Sequence, residues 1–237
     1  MELLRVEAER GVLLSLENRF VARVLLEGEE ECHVPDTGSL LRNARRGTEV
    51  FVRRRRGLGR RTSCDVVAAK LQEIVGVDSR LPNALFAELV RREIGGLRGE
   101  LVEEALIRGA GMSYRADFLL LSPGESPIIA EVKGVNFVDE RGIALFPNAV
   151  SERAARQLDE LVRMTQEGFR ALLAFVIMRG DAKEVRPYYA MDRSFSSRLC
   201  AYRDRIVYKA FGTRLEEREG ALHFSFAGEL EVKPCLA

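Results

Sequence analysis

The stretch IIAEVKG, residues 128–134, decides how the second half of this chain is read. Apolar residues run into Glu131, and Val132 separates that carboxylate from the ammonium of Lys133 before a glycine ends the run. A strand turns successive side chains to opposite faces, so Glu131 and Lys133 share one face while Ala130 and Val132 share the other. Two charges on one face of an otherwise greasy strand mean either a solvated sheet edge or a site.

Upstream, Asp117 opens the strand-like run DFLLL, and segment 122–127 reads as a turn. The thirteen residues between Asp117 and Glu131 suit two antiparallel strands and a tight turn, which sets the two carboxylates side by side on one face. Two close carboxylates repel, and one lysine relieves only part of that. A hard divalent cation, Mg²⁺ or Mn²⁺, satisfies them better, because such ions keep several waters and take one or two carboxylates plus phosphate oxygens. Asp117 and Glu131 are therefore candidate metal ligands, with Glu88 from the preceding helix as a third. Asp117, Glu131 and Lys133 form the candidate catalytic set, Lys133 orienting the attacking water or neutralising charge on phosphorus-bound oxygens. The bare pattern D-x13-E-x-K is weak, and its strand–turn–strand setting between two helices strengthens it.

The flanking helices are legible. PNALFAELVRREI, residues 82–94, has apolar residues at 85, 86, 89, 90 and 94, with Pro82 at its start and Gly95-Gly96 at its end. The run from Pro147 predicts an amphipathic helix over 149–164, on which Arg153 and Gln157 are four apart and share a face. With Arg156 they are candidates to brace the site or touch a phosphate, against the commoner fate of a solvated helix surface. LVEEALIR and ADFLLLS read as strands, ALLAFVIMRG as a strand buried on both faces, DRSFSSRLCAYRD as a helix, RIVYKAF as a strand, and the tail alternates. Residues 79–237 thus read as an α/β domain.

Residues 1–78 have a different texture. GVLLSL, FVARVLL, ECHV and TEVFVRR are short β-rich runs broken by EGEE, PDTG and RRG, which predicts a small β-barrel. RRRRGLGRR, residues 53–61, places Arg53, Arg54, Arg55, Arg56, Arg60 and Arg61 around two glycines at a hairpin tip. It is either a solvated loop or a phosphate-tracking finger for nucleic acid, since guanidinium forks match phosphate oxygens.

Composition narrows the field. At 237 residues and 46% hydrophobic, the chain can bury a sizeable core, in two small domains or one large one. A net charge of +1 gives no overall attraction to a polyanion, so any basic patch is local. Lysine occurs only at 70, 133, 183, 209 and 233, which sets Lys133 apart from generic surface charge. Aromatics make up 7% with no tryptophan, which limits base stacking and favours backbone contacts in any nucleic-acid complex. Cys32, Cys64, Cys200 and Cys235 show neither C-x-x-C nor metal-ligand spacing, and read as reduced thiols of a cytoplasmic protein. No signal-like start and no apolar stretch near 18 residues is found, so no membrane association is expected.

FVARVLLEGEEECHVPDTGSLL, VGVDSRLPNALFAEL, YRADFLLL, AEVKGVNF and FPNAVSERAARQLDEL follow one another as in the sugar fermentation stimulation protein family, which the chain resembles over nearly its whole length. The resemblance implies an OB-like β-barrel at 1–78 and a restriction-endonuclease-like α/β domain, of the PD-(D/E)xK type, at 79–237. It also implies binding of DNA, duplex or single-stranded, with little sequence preference, and a link to sugar (maltose) metabolism. The family's nuclease-like motif falls on Glu88, Asp117, Glu131 and Lys133, and its basic position after the FP segment on Arg153. Departures are Asp36 in place of an asparagine, Ser151 in place of a threonine, Ala116 in place of a proline, and Gln157 where a histidine is frequent. The last weakens any proton-transfer role for that helix. Three readings follow: a metal-dependent phosphodiesterase acting on DNA, a DNA-binding protein without catalysis, and a structural domain whose Glu131–Lys133 pair is only a surface ion pair. The sequence leaves the oligomeric state open, a homodimer included.

Overall fold

The computed structural model describes residues 1–36, 40–55, 61–109 and 111–235. A first strand, β1 (Glu2–Glu7), precedes five that form a barrel: β2 (Glu9–Asn18), β3 (Val21–Leu25), β4 (Glu29–His33), β5 (Glu49–Arg54) and β6 (Cys64–Lys70). A short β7 (Ile74–Gly76) pairs with β6. Antiparallel neighbours run in the order β4–β3–β2–β5–β6, and a parallel β4–β6 pairing, with Cys32 opposite Cys64, closes the ring. This is the five-stranded OB arrangement. Its interior is filled by Ala22, Val24, Val50, Val52 and Val66, small and β-branched side chains that suit a narrow pleated barrel.

The closing register also corrects the expectation of reduced thiols. Cys32–Cys64 and Cys200–Cys235 are disulfides, with Cα atoms 4.6 and 4.7 Å apart. Partners 32 and 35 residues apart meet only through tertiary pairing, so their spacing in sequence carries no trace of the bond. The argument from thiols to a cytoplasmic setting falls with it. Among the described residues, no helix is long and apolar enough to cross a membrane.

The second unit contains α1 (Leu81–Arg91), β8 (Glu100–Glu103), β9 (Leu106–Gly109), β10 (Met112–Arg115), β11 (Phe118–Leu121), β12 (Ile128–Val135), β13 (Ile143–Phe146), α2 (Glu152–Met164), β14 (Arg170–Ile177), β15 (Glu184–Pro187), α3 (Arg193–Ala201), β16 (Val207–Arg218) and β17 (Ala221–Val232). The sheet runs β13–β15–β17–β16–β14–β12–β11–β8, with β12, β14 and β16 parallel at its centre. α1 covers one face, packing Leu85, Phe86 and Leu89 on Phe118, Ala130 and Val132. α2 and α3 cover the other, packing Leu158, Leu161 and Phe195 on Ile129, Leu173 and Phe175. The segment LVEEALIR is two strands rather than one: Glu104 takes a positive φ of 48°, and β9 leaves the sheet to form a separate hairpin with β10. Gly134 lets α1 approach β12 closely, since a Cβ there would sit 2.5 Å from the Pro82 ring.

The expected boundary at 78 separates the barrel from the α/β unit only on one side. β1 pairs with β17, so the chain starts in the C-terminal sheet before entering the barrel at β2. The two units also share a core, because Phe51, Val67 and Ala68 of the barrel pack in the same cluster as α1.

At this junction lie two buried carboxylates, Asp65 and Asp78, at 0% and 1% exposure. Arg80 donates to Asp78 at 2.6 and 2.7 Å and to Asp65 at 2.7 Å, Arg55 donates to Asp65 at 2.7 Å, and Arg53 to Asp78 at 3.0 Å. Burial alone pushes the Asp65 carboxyl up, but the bonds from Arg80 and Arg55 outweigh it and leave Asp65 below its ordinary value of 3.8. A depressed carboxylate contributes stability above its unfolded value and loses it as pH falls through the folded one. Arg80→Ala is therefore expected to cost about 2 kcal/mol at pH 7, read from the urea midpoint at unchanged slope. The difference from the wild type should shrink once pH drops below the ordinary aspartate value.

Candidate active site

Register builds the site. β11 pairs with β12 so that Phe118 faces Ala130, which carries Asp117 alongside Glu131 and Val132. Asp117 Oδ2 accepts the Val132 N–H at 2.8 Å, locking the carboxylate against the strand that bears the other two groups. Glu131 and Lys133 point to the α2 side of the sheet, as the period of two requires.

Glu131 is 1% exposed. Its carboxylate accepts hydrogen bonds from the Tyr114 hydroxyl, from Lys133 Nζ at 3.1 Å and from Gln157 Nε2 at 3.1 Å. Lys133 Nζ also donates to Gln157 Oε1 at 3.0 Å, so Glu131, Lys133 and Gln157 close a three-membered circuit. Burial pushes the Glu131 carboxyl above its ordinary value; Lys133 opposes the rise and the charge of Asp117 adds to it. Burial and the Glu131 carboxylate likewise hold the Tyr114 phenol protonated, which keeps it a donor.

Above these groups opens a cleft of about 670 Å³ between the barrel and the α/β unit. Asp117, Lys133, Gln157 and Arg153 line it from one side, and Arg19, Arg42, Asp36 and Asp78 from the other. Arg19, Arg42 and Arg153 form no ion pair with the described residues, so three guanidinium groups face the cleft without an acidic partner. α2 delivers Arg153 and Gln157 because Ser151 caps its start, accepting the Ala154 N–H at 3.1 Å, and is itself held by Asp192.

Several candidate residues lie elsewhere. Glu88 accepts hydrogen bonds from Arg91 at 2.8 Å and Arg92 at 3.1 Å, bonds that hold its carboxyl below the ordinary value, and it does not line the cleft. The reason is geometric: α1 lies on the Ala130–Val132 face, opposite Glu131. Arg53 and Arg55 are held by Asp78 and Asp65, and Arg54 by Glu9 and Glu30, so these three have intramolecular partners. Arg61 is exposed, while Arg56 and Arg60 lie outside the described residues. Arg156 is exposed on α2 and does not line the cleft. Sequence reasoning missed Tyr114, Arg19 and Arg42.

The donor set suits a hard divalent cation in one respect and limits it in another. Asp117 faces the cleft, its Oδ1 takes no hydrogen bond from the described residues, and its charge is felt at Glu131, an arrangement a cation between them relieves. Among the described residues, no group of three or more His, Cys, Asp or Glu side chains gathers to cage a metal. For an ion that keeps most of its waters, such as Mg²⁺ or Mn²⁺, Asp117 fits directly, and Glu131 fits by exchanging one of its protein donors for the ion.

Comparison with known proteins agrees with this architecture. Residues 14–77 match the model of the SfsA N-terminal OB domain, and residues 80–218 that of the sugar fermentation stimulation protein RE domain. The sugar fermentation stimulation protein homologue of Natranaerobius thermophilus is 35% identical over 200 residues, 80% of each chain. That of Moorella thermoacetica is 36% identical over 194 residues, 80% of this chain and 82% of the other. The solved structure of Pyrococcus furiosus SfsA in complex with Ca²⁺ superposes with a TM-score of 0.85 at 24% identity, covering 98% of this chain and 99% of that one. An OB barrel closed by β4–β6, a mixed α/β domain carrying Asp117, Glu131 and Lys133, and these matches together place the chain in the sugar fermentation stimulation protein (SfsA) family.

Proposed function

We propose that this protein binds DNA in the cleft between its two domains, with little sequence preference, and hydrolyses a phosphodiester there with Mg²⁺ or Mn²⁺. The observation that carries the reading is that Asp117 and Lys133, the latter held by the buried Glu131 beneath, face a cleft whose walls offer Arg19, Arg42 and Arg153 with no acidic partner among the described residues. Three guanidinium groups and an ammonium match the phosphate backbone, which every sequence presents alike. That the Pyrococcus furiosus relative was solved with Ca²⁺ supports a hard-cation site in this fold.

The residues divide the work. Asp117 and Glu131 would hold the cation, which when bound polarises the phosphoryl group and makes water a better nucleophile. Lys133, fixed by Glu131 and Gln157, presents a positive charge where negative charge grows on the phosphoryl oxygens. Gln157 positions Lys133 rather than moving a proton, since an amide does not titrate. Arg153 fixes the neighbouring phosphate.

One observation favours a second reading, a DNA-binding protein without catalysis that regulates genes of sugar (maltose) metabolism. The Glu131 carboxylate already accepts three protein donors, a satisfied state that needs no ion. Incubation with Mg²⁺ or Mn²⁺ separates the two. Wild-type protein is expected to nick or degrade DNA, chelation to stop it, and Lys133→Ala to slow it about 100-fold or more while DNA affinity persists. Absence of cleavage on duplex, single-stranded and flapped DNA sinks the catalytic reading. In calorimetry, the heat of Mn²⁺ binding is expected to vanish in Asp117→Ala. Arg153→Ala should weaken DNA binding uniformly across sequences and lower the slope of log affinity against log salt by about 1.

A further inference from the structure

An exposed aromatic ring, Phe20, adjoins the cleft-lining Arg19. Of twelve phenylalanines and five tyrosines, all within the described residues, only Phe20 is exposed, at 46%. A single exposed phenylalanine is ordinary on a protein surface. What sets this one apart is its support and its neighbour. It sits at the tip of the β2–β3 hairpin, where Asn18 Oδ1 accepts its N–H at 2.8 Å. Its carbonyl accepts the Val34 N–H at 2.7 Å and lies 3.0 Å from His33 Nδ1, which ties the tip to the end of β4. The Arg19 guanidinium lies over the Phe20 ring, 4.5 Å from its centroid, and Arg19 is also one of the cleft-lining cations without an ion pair among the described residues.

A ring whose backbone is fixed, left nearly half exposed and joined by a guanidinium plane to a cationic cleft offers a base-stacking surface followed by phosphate contacts. The first hairpin of an OB barrel is also among the loops through which this fold binds oligonucleotides. We propose that Phe20 is a nucleobase-stacking site that takes an unpaired base of single-stranded DNA as the strand enters the cleft. This rests on the functional reading above and sharpens it. A duplex keeps its base faces stacked on one another, so a surface that binds a base face selects an unpaired strand.

The chain contains no tryptophan, so Phe20→Trp places one reporter at the site. The probe is a fluorescein-labelled twelve-nucleotide oligothymidylate, with EDTA present so that nothing is cleaved. Binding is followed by anisotropy, and the tryptophan emission is read separately with unlabelled oligothymidylate. Phe20→Ala is expected to bind the oligonucleotide roughly tenfold more weakly than the wild type, the scale of one lost stack. Phe20→Trp should bind as well as the wild type or better, with its emission quenched in step with binding. If wild type and Phe20→Ala bind equally, or if Phe20→Trp binds with unchanged emission, the stacking site is overturned and the DNA-binding reading stands. If the wild type does not bind at all, both fall together.

Discussion

The interaction on which the rest depends is the burial of the Glu131 carboxylate. An ionised group taken almost wholly out of water costs several kcal/mol unless it is hydrogen-bonded and paired. Here the donors come from three elements: Tyr114 from the β9–β10 hairpin, Lys133 from the same strand, and Gln157 from α2. That requirement explains why the chain breaks at Glu104 and sends a hairpin away from the sheet, for the hairpin is what brings a phenol to the carboxylate. It also explains why α2 begins with a firm cap, because a frayed first turn would let Gln157 drift. The circuit keeps Lys133 in one position with little freedom left to lose, the condition under which a charge can act without rearranging.

Electrostatic pairing divides the arginines into two populations. Arg53, Arg55 and Arg80 surround the buried Asp65 and Asp78, and Arg54 joins Glu9 and Glu30. The first three hold the barrel to the start of α1, and Arg54 ties strands within the barrel. Arg19, Arg42 and Arg153 have no such partner among the described residues, and all three face one cleft. A chain of net charge +1 can thus present a locally cationic surface, since local field depends on which charges are cancelled nearby and not on their total.

How much of this was legible in the sequence depends on the range of the interaction. The period of two placed Glu131 and Lys133 together, and a tight turn placed Asp117 beside them, because both are local constraints. Helical spacing identified the helix bearing Glu88 but not the sheet face it would cover, and that face is decided by the topology of the whole domain. The dense run at 53–55 looked free because its carboxylate partners are distant in sequence, Asp78 by 25 residues from Arg53. Arg19, in a turn, and Arg42, in a short 3-10 helix, carried no local pattern. Tyr114 lies three residues before Asp117, yet nothing short of the β9–β10 hairpin shows where its hydroxyl goes. The disulfides were hidden for the same reason as Asp78: each joins residues that only strand pairing or the closing tail brings together.

The pairing of β1 with β17 has a mechanical consequence. Because the chain begins in the C-terminal sheet, crosses Ala8 into the barrel and returns through β7 to α1, the barrel is an insertion anchored at both ends to one body. With its chain fixed to that body at both ends and its inner wall packed into the same core, the barrel keeps the two walls of the cleft in one register.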